Sequence, residues 1–366
     1  MKYNKDARVV LTLDAGGTNF VFSAIQSFRE IVKPVCLPSH AGDLKRCLET
    51  IVEGFKEVES QIKGYPVAIS FAFPGPSDYQ SGIIGDLNNL PSFRGGVPLG
   101  PYLEEIFNVP VFINNDGDLF AYGEAIAGFL PYVNNKFHEI ASTRRYHNLL
   151  GITLGTGFGA GVVSKNELFT GDNSAGAEIW LMRNKKYDTF AEESVSIRGI
   201  LRAYEKYGGN PVNLSPKDVY EIARGEKEGN AEAARKAYEE FGEILGDCLA
   251  NAITLVDGLI VIGGGIAAAY DLFIPAVMKE LNSPYHTIDQ RQVPRLEMKC
   301  FNLEDETEMS AFLVGDYKEL PVPGTDRTVL YDPVKRIGIG KSKLGTSKAV
   351  AFGAYAYALH RLDHSD

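Results

Sequence analysis

The sequence predicts an α/β protein in two domains, and three features carry that prediction. Apolar, strand-like runs alternate with helical stretches, a strand running into a glycine-rich turn occurs twice, and 366 residues are long for one domain but comfortable for two. The first repeat is the run 9–13, then Asp14-Ala15-Gly16-Gly17-Thr18-Asn19, then a returning run over 20–25. Its counterpart is 149–154, then Gly155-Thr156-Gly157-Phe158-Gly159, then 160–163. Each reads as a hairpin whose loop is free to adopt positive φ.

Between the two, apolar runs at 66–73 and 109–113 end on Pro74-Gly75-Pro76 and Asn114-Asn115-Asp116. Residues 119–128, rich in alanine with Glu124 among them, read as a helix. Residues 231–256 carry apolar positions at helical spacing and lead into a strand at 258–262, followed by Gly263-Gly264-Gly265. A domain boundary is expected within 128–135, where Pro131 and two asparagines interrupt the pattern. That gives a first domain of 1–128 and a second of 129–345. Region 282–343 reads as an elaborated hairpin.

Composition excludes several classes. The net charge of −10 repels a phosphate backbone, and no long run of Lys and Arg offsets it, so nucleic acid is not an expected partner. A polar N-terminus running into a strand argues against a secretory signal, and no apolar stretch has the length of a membrane span. Cys36, Cys47, Cys248 and Cys300 lie far apart without a C-x-x-C pair, so they read as free thiols in the cytoplasm and hold no zinc. The six histidines form no metal-ligand spacing, and no G-x-S-x-G elbow is present.

The motif Asp14-x-Gly16-Gly17-Thr18-Asn19 is the most informative. Glycines let backbone amides approach phosphate oxygens, and Thr18 and Asn19 add side-chain donors. An aspartate there would repel phosphate, so its role is to hold Mg²⁺, directly or through water. Taken singly the motif can also be read as a tight hairpin in which Asp14 bonds its own turn. The second loop, Gly155-Thr156-Gly157, tips the balance, because two phosphate loops on opposite halves suit one triphosphate clamped between domains. Asp116, after a strand reaching the same edge, is then placed to accept a sugar hydroxyl proton; the bland reading of Asn115-Asp116 is an Asx turn capping the next helix, with Asp118 an equal cap. Gly263-x-Gly265-x-x-Ala268 matches a dinucleotide fingerprint, with Glu280 as its acidic partner. We read it as a strand-to-helix turn against which adenosine lies, at Gly264 and Gly265.

Taken together, Asp14 to Thr18, Pro74-Gly75, Asn89-Leu90, Asn115-Asp116, Gly155-Thr156-Gly157 and Gly263-Gly264-Gly265 resemble, in order, the motifs of ROK-type sugar kinases and glucokinases. The stretch 344–358, with Gly353 among apolar residues, resembles that family's last helix, and the likeness covers most of the chain. The resemblance implies two ribonuclease-H-like domains of the actin and hexokinase type around a cleft, the first completed by a C-terminal helix at 346–366. It implies ATP with Mg²⁺, Asp116 as catalytic base, and a neutral hexose or N-acetylhexosamine bound by Asn89, Asn115, Asp116, Glu178 and Glu192. A homodimer is also implied.

The departures are informative. Many members follow the glutamate equivalent to Glu178 with Ile-Gly-His and a zinc-binding cysteine cluster. Here Ile179-Trp180-Leu181 follows, Leu181 stands at the histidine position, and 182–191 contains no cysteine. A structural zinc is not expected, and the sugar contact of that histidine is lost or replaced. Family repressors carry an N-terminal winged helix, for which a phosphate loop starting at Asp14 leaves no room. The remaining alternatives are a catalytically silent sugar sensor of the same fold and a nicotinamide-dependent oxidoreductase.

Overall fold

The computed structural model describes residues 2–75, 77–87 and 90–364. The chain forms two compact units, one of Met1–Pro131, Ala160–Ala177 and Ser342–Asp366, the other of Tyr132–Gly159 and Glu178–Lys341.

In the first unit, Val10–Ala15 forms an antiparallel hairpin with Asn19–Gln26 and lies parallel to Ala68–Ala72, which lies parallel to Val111–Asn114. Arg29–Glu30 and Val35–Pro38 both pair with Asn19–Gln26. The run Val10-Leu11-Thr12-Leu13 lacks polar alternation because both faces of this sheet are covered, and all four residues are buried. Helix Leu44–Glu59 places Phe55 edge-on to Phe22, with ring centroids 5.1 Å apart, in a core that also holds Phe20, Phe71, Phe73 and Phe93.

Helices Asp116–Ile126 and Thr346–Asp363 pack with their backbones in direct apposition. A β-carbon on Gly123 would strike the Ala349 carbonyl, and one on Gly353 the Leu119 carbonyl. The first of these helices starts three residues earlier than its apolar pattern suggests, because Asn115 caps it through a hydrogen bond from the Asp118 amide, 2.6 Å. Near its end the fully buried Glu124 accepts from the amides of Phe129 (2.7 Å), Leu344 (3.0 Å) and Lys343 (3.3 Å) and from the Ser342 hydroxyl. That carboxylate therefore ties the chain just before it leaves this unit after Pro131 to the chain just after it returns at Ser342. The next helix, Phe129–Glu139, continues through Asn134 and Asn135. Pro131 falls in its first turn, where the missing amide has no partner to lose.

In the second unit, Leu149–Leu154, Leu259–Gly263, Arg336–Lys341 and Lys299–Asn302 lie side by side, all parallel. Helix Ala231–Val256 packs on Tyr270–Asn282, with Gly242 against the Phe273 carbonyl. Region 282–343 is more than the elaborated hairpin the sequence suggested. It contains two small hairpins, Pro284–His286 with Gln292–Pro294 and Lys318–Pro321 with Thr328–Tyr331, but also two strands of the main sheet and helix Glu306–Val314. Those strands show only short apolar runs, Cys300-Phe301 and Ile337-Gly338-Ile339, since strands covered on both faces need no alternation.

The glycine contact between helices 116–126 and 346–363 sets a stability prediction. Gly353→Ala gains about 1 kcal/mol of helix propensity, but forcing a methyl into the Leu119 backbone costs roughly 1–3 kcal/mol and often more. Net destabilisation is expected, read as a lower midpoint in urea unfolding; an unchanged or higher midpoint would show that the helices do not meet at Gly353.

Candidate functional site

The three parallel strands of the first unit end at one edge, and the register puts Asp14, Ala72 and Asn114 level across them. Two strand spacings separate Asp14 from Asn114, roughly 10 Å between their backbones. Asn115 and Asp116 follow at the same edge, so Asp14, the loop Gly16 to Asn19, Asn115 and Asp116 all gather there. Asn115 Oδ1 is used as the helix cap, and Asp116 Oδ1 accepts from the Gly117 amide at 3.0 Å. The cap reading is thus correct for Asn115, and it is what presents Asp116 on the first helical turn.

Both aspartates keep surface open to solvent, yet protein crowds each carboxylate from the other sides. For Asp14 this burial raises the pKa above the ordinary aspartate value. For Asp116 burial is again the largest cause and raises it; hydrogen bonds from backbone amides oppose the shift, and the negative charge of Asp14 adds to it. The negative charge of Asp14 favours the protonated form of Asp116, a repulsion that a divalent cation would relieve, so Asp14 fits a Mg²⁺ ligand. Among the described residues no group of three His, Cys, Asp or Glu side chains is placed to hold a metal by itself.

The first glycine loop is held from behind by Ser39, a buried residue that the motif reading missed. Its hydroxyl donates to the Gly17 carbonyl (2.6 Å) and its amide to the Thr18 carbonyl (2.9 Å). In a trans peptide the N–H points opposite to the C=O, so the amides of Thr18 and Asn19 face away from Ser39. The second loop follows the same rule. Ile197 donates to the Gly155 carbonyl at 2.9 Å, which turns the Thr156 amide outward. A buried serine one strand away carries no local signal; only the pairing of Val35–Pro38 with Asn19–Gln26 brings Ser39 to the loop.

Positive φ, which the sequence led us to expect, is not used: none of Gly16, Gly17, Gly155 or Gly157 has it. Space is the constraint instead. A β-carbon would lie 2.8 Å from the Asn19 carbonyl oxygen at Gly16, 2.9 Å from Glu192 Oε2 at Gly157, and would meet nothing within 4 Å at Gly155. Gly264 alone among these has φ +88°, and its close neighbour is the Leu154 backbone. Since Leu149–Leu154 and Leu259–Gly263 are paired in parallel, the loop Gly155 to Gly157 and the turn Gly264-Gly265 emerge at one edge of the second unit.

Glu192 Oε2 accepts from the Phe158 amide (3.0 Å) and Oε1 from Arg198 (2.9 Å), so this carboxylate braces the second glycine loop. Glu178 receives the indole N–H of Trp180. Asn89 lies outside the described residues. The dinucleotide fingerprint lacks its context. The main-sheet strand after helix Tyr270–Asn282 is Lys299–Asn302, which pairs with Arg336–Lys341 and not with Leu259–Gly263. Glu280 is engaged by Lys185 (2.6 Å) and Arg295 (2.8 Å).

A sequence profile described as the ROK family matches residues 10–307. The crystal structure of glucokinase from Parabacteroides distasonis is 53% identical, with a TM-score of 0.89, covering 98% of this chain and 99% of that one. N-acetyl-D-glucosamine kinase of Vibrio cholerae is 28% identical over 301 residues, covering 77% of this chain and 92% of its own. A ROK family glucokinase from Streptomyces griseus, solved with glucose and AMPPNP, shares the fold at 16% identity and a TM-score of 0.58, covering 95% of this chain and 98% of that one. The chain belongs to the ROK family. Its fold is the two-domain actin-like ATPase fold expected from the motifs.

The open space at Gly155 allows a clean test of the phosphate loop. Gly155→Ala adds a β-carbon that meets no protein atom within 4 Å, so thermal unfolding should be unchanged. If amide contacts to a charged phosphate are displaced, affinity for an ATP analogue should fall roughly tenfold or more in a calorimetric titration. Unchanged affinity would remove this loop from the nucleotide site.

Proposed function

We propose that the substrate is a neutral hexose or N-acetylhexosamine and that Asp116 takes the proton of the attacking hydroxyl. The chain is an ATP-dependent sugar kinase; the sugar and the roles of individual residues are our reading. One observation carries it: a carboxylate with raised proton affinity stands on the first turn of a helix, at the sheet edge it shares with Asp14 and a glycine loop with outward amides. A base that only bound sugar would need no such affinity.

In this reading the amides of Gly16 to Asn19 and of Thr156 and Gly157 donate to phosphate oxygens, Gly155, whose own amide bonds the Gly157 carbonyl, leaves open space beside them, and Gly264 and Gly265 lie against adenosine. Asp14 would hold, directly or through water, the Mg²⁺ that accompanies ATP, which would supply neutralisation of phosphate charge. Asp116 accepts the hydroxyl proton as the sugar oxygen bonds to the γ-phosphorus and the bond to the bridging oxygen of ADP breaks. Asn89, Asn115, Glu178 and Glu192 receive sugar hydroxyls; Glu192 retains lone pairs for this after bonding Phe158 and Arg198. Glucose is the first sugar to test, given the 53% identity to a glucokinase, with N-acetylglucosamine second. A silent sensor is not favoured, since the relatives named are kinases. The free cysteines support a cytoplasmic setting, and no described helix is long and apolar enough to cross a membrane. The homodimer rests on the family likeness.

The assay is ADP release with ATP, magnesium and a panel of hexoses. Asp116→Asn should lose about 10²–10⁴ in kcat while sugar affinity changes little, because the amide keeps the shape but cannot take a proton. Retention of most of the turnover would overturn the assignment. A pH profile tests the same residue independently. The base works only unprotonated, so kcat/KM falls as pH drops through its pKa; because that pKa is raised, the fall should come above the usual aspartate value of about 4. An acid limb at or below that value would contradict the crowding of the Asp116 carboxylate by surrounding protein.

A further inference from the structure

At the position where the family resemblance led us to expect a histidine, this chain has Leu181, a side chain without a donor and 56% exposed. The adjacent position supplies what leucine cannot. Trp180 donates its indole N–H to Glu178 Oε2. Its ring is half-buried and stands edge-on to Phe190, with centroids 5.7 Å apart and planes at 85°. Phe190 in turn belongs to a loop that closes on itself. Asn184 donates to the Thr189 carbonyl and Ala191 to the Met182 carbonyl, both at 2.8 Å. The buried Asn184 side chain accepts from the amides of Lys186 (3.0 Å) and Tyr187 (3.2 Å) and donates to Ser194 Oγ at 2.9 Å. The indole is therefore backed by an ordered loop and not by a mobile segment.

We propose that Trp180 is a specificity-determining residue of the sugar site: its N–H fixes the Glu178 carboxylate for a sugar hydroxyl, and its ring offers the adjoining apolar face to the pyranose. The proposal rests on the reading of Glu178 as a sugar ligand given above. An indole N–H is a donor only, so it holds Oε2 and leaves Oε1 to accept a sugar O–H. Its amphipathic ring suits a neutral pyranose, which presents C–H bonds on one face and hydroxyls at its rim. Unlike an imidazole, it does not titrate near neutrality. Sugar binding should accordingly show no titration step from this donor between about pH 6 and 8.

Trp180 is the only tryptophan in the sequence, so intrinsic fluorescence reports on it alone. Titration of the intact protein with glucose and with N-acetylglucosamine, without nucleotide, should shift or quench the emission for whichever sugar supports ADP release. No change with a sugar that is turned over would overturn the proposal. Trp180→Phe keeps the ring and removes the donor. It should raise the sugar KM about tenfold, as loss of a hydrogen bond to a charged group does, with the ATP KM and the melting temperature unaltered. An unchanged sugar KM in this variant would also overturn it. Glu178→Gln separates the two layers of the argument: if it leaves sugar affinity intact, Glu178 is not a sugar ligand and the underlying reading falls. If it weakens affinity, and the double variant is no worse than Glu178→Gln alone, the two side chains act as a unit.

Discussion

The position of Asp116 depends on backbone meeting backbone without side chains between. Helix Asp116–Ile126 can begin where it does because Gly117 lies against Ala160 and Gly161 lies against Asp118, contacts in which a β-carbon would come within 2.6–2.7 Å of main-chain atoms. Farther along, Gly123 and Gly353 let the same helix touch the closing helix. A helix docked on both sides at glycines has little freedom to slide. Interiors packed to crystal-like density transmit a displacement instead of absorbing it. The Asn115 cap then fixes the first turn, so the carboxylate of the proposed base is placed by the backbone and not by its own rotamer preference.

The two glycine loops solve one problem with different parts. A loop meant for phosphate must hide its carbonyls, which repel the anion, and show its amides. Ser39 ties back the carbonyls of Gly17 and Thr18 in one unit, and the backbone of Ile197 ties back that of Gly155 in the other. Glu192 stands beside the proposed phosphate loop, but its charge is shared by Arg198 and by the Phe158 amide. The demand is electrostatic and geometric, so it is met without strained φ at the loop glycines.

The stretch 182–191, which contains no cysteine, is ordered by its own hydrogen bonds and ion pairs. Asn184 serves as its polar centre, and ion pairs tie its lysines to helices of the same unit: Lys185 to Glu280 (2.6 Å) and to Glu243 (3.2 Å), the latter also engaged by Lys186. Exposed pairs of this kind contribute little each. The nearly buried Glu240, which accepts from Tyr187, Tyr207 and Lys206, is the stronger anchor because its charge is removed from water and fully partnered.

The α/β class, the two hairpins, the parallel strands before Pro74 and Asn114 and the long helix 231–256 were legible in the sequence, since each rests on local periodicity and turn chemistry. The candidate positions for chemistry were picked from signals of the same local kind, glycine, aspartate and asparagine at strand ends. Helix and strand limits moved by a few residues, as for the helix that starts at Asp116, where a cap overrides the apolar pattern. Only the tertiary structure gave Ser39 its place behind the first loop, made strands of 299–302 and 336–341, joined Glu192 to Phe158 and set Trp180 against Glu178. Local sequence determines which backbone conformations are cheap; which buried groups find partners is decided by contacts between segments far apart in the chain, and no pattern within one segment records them.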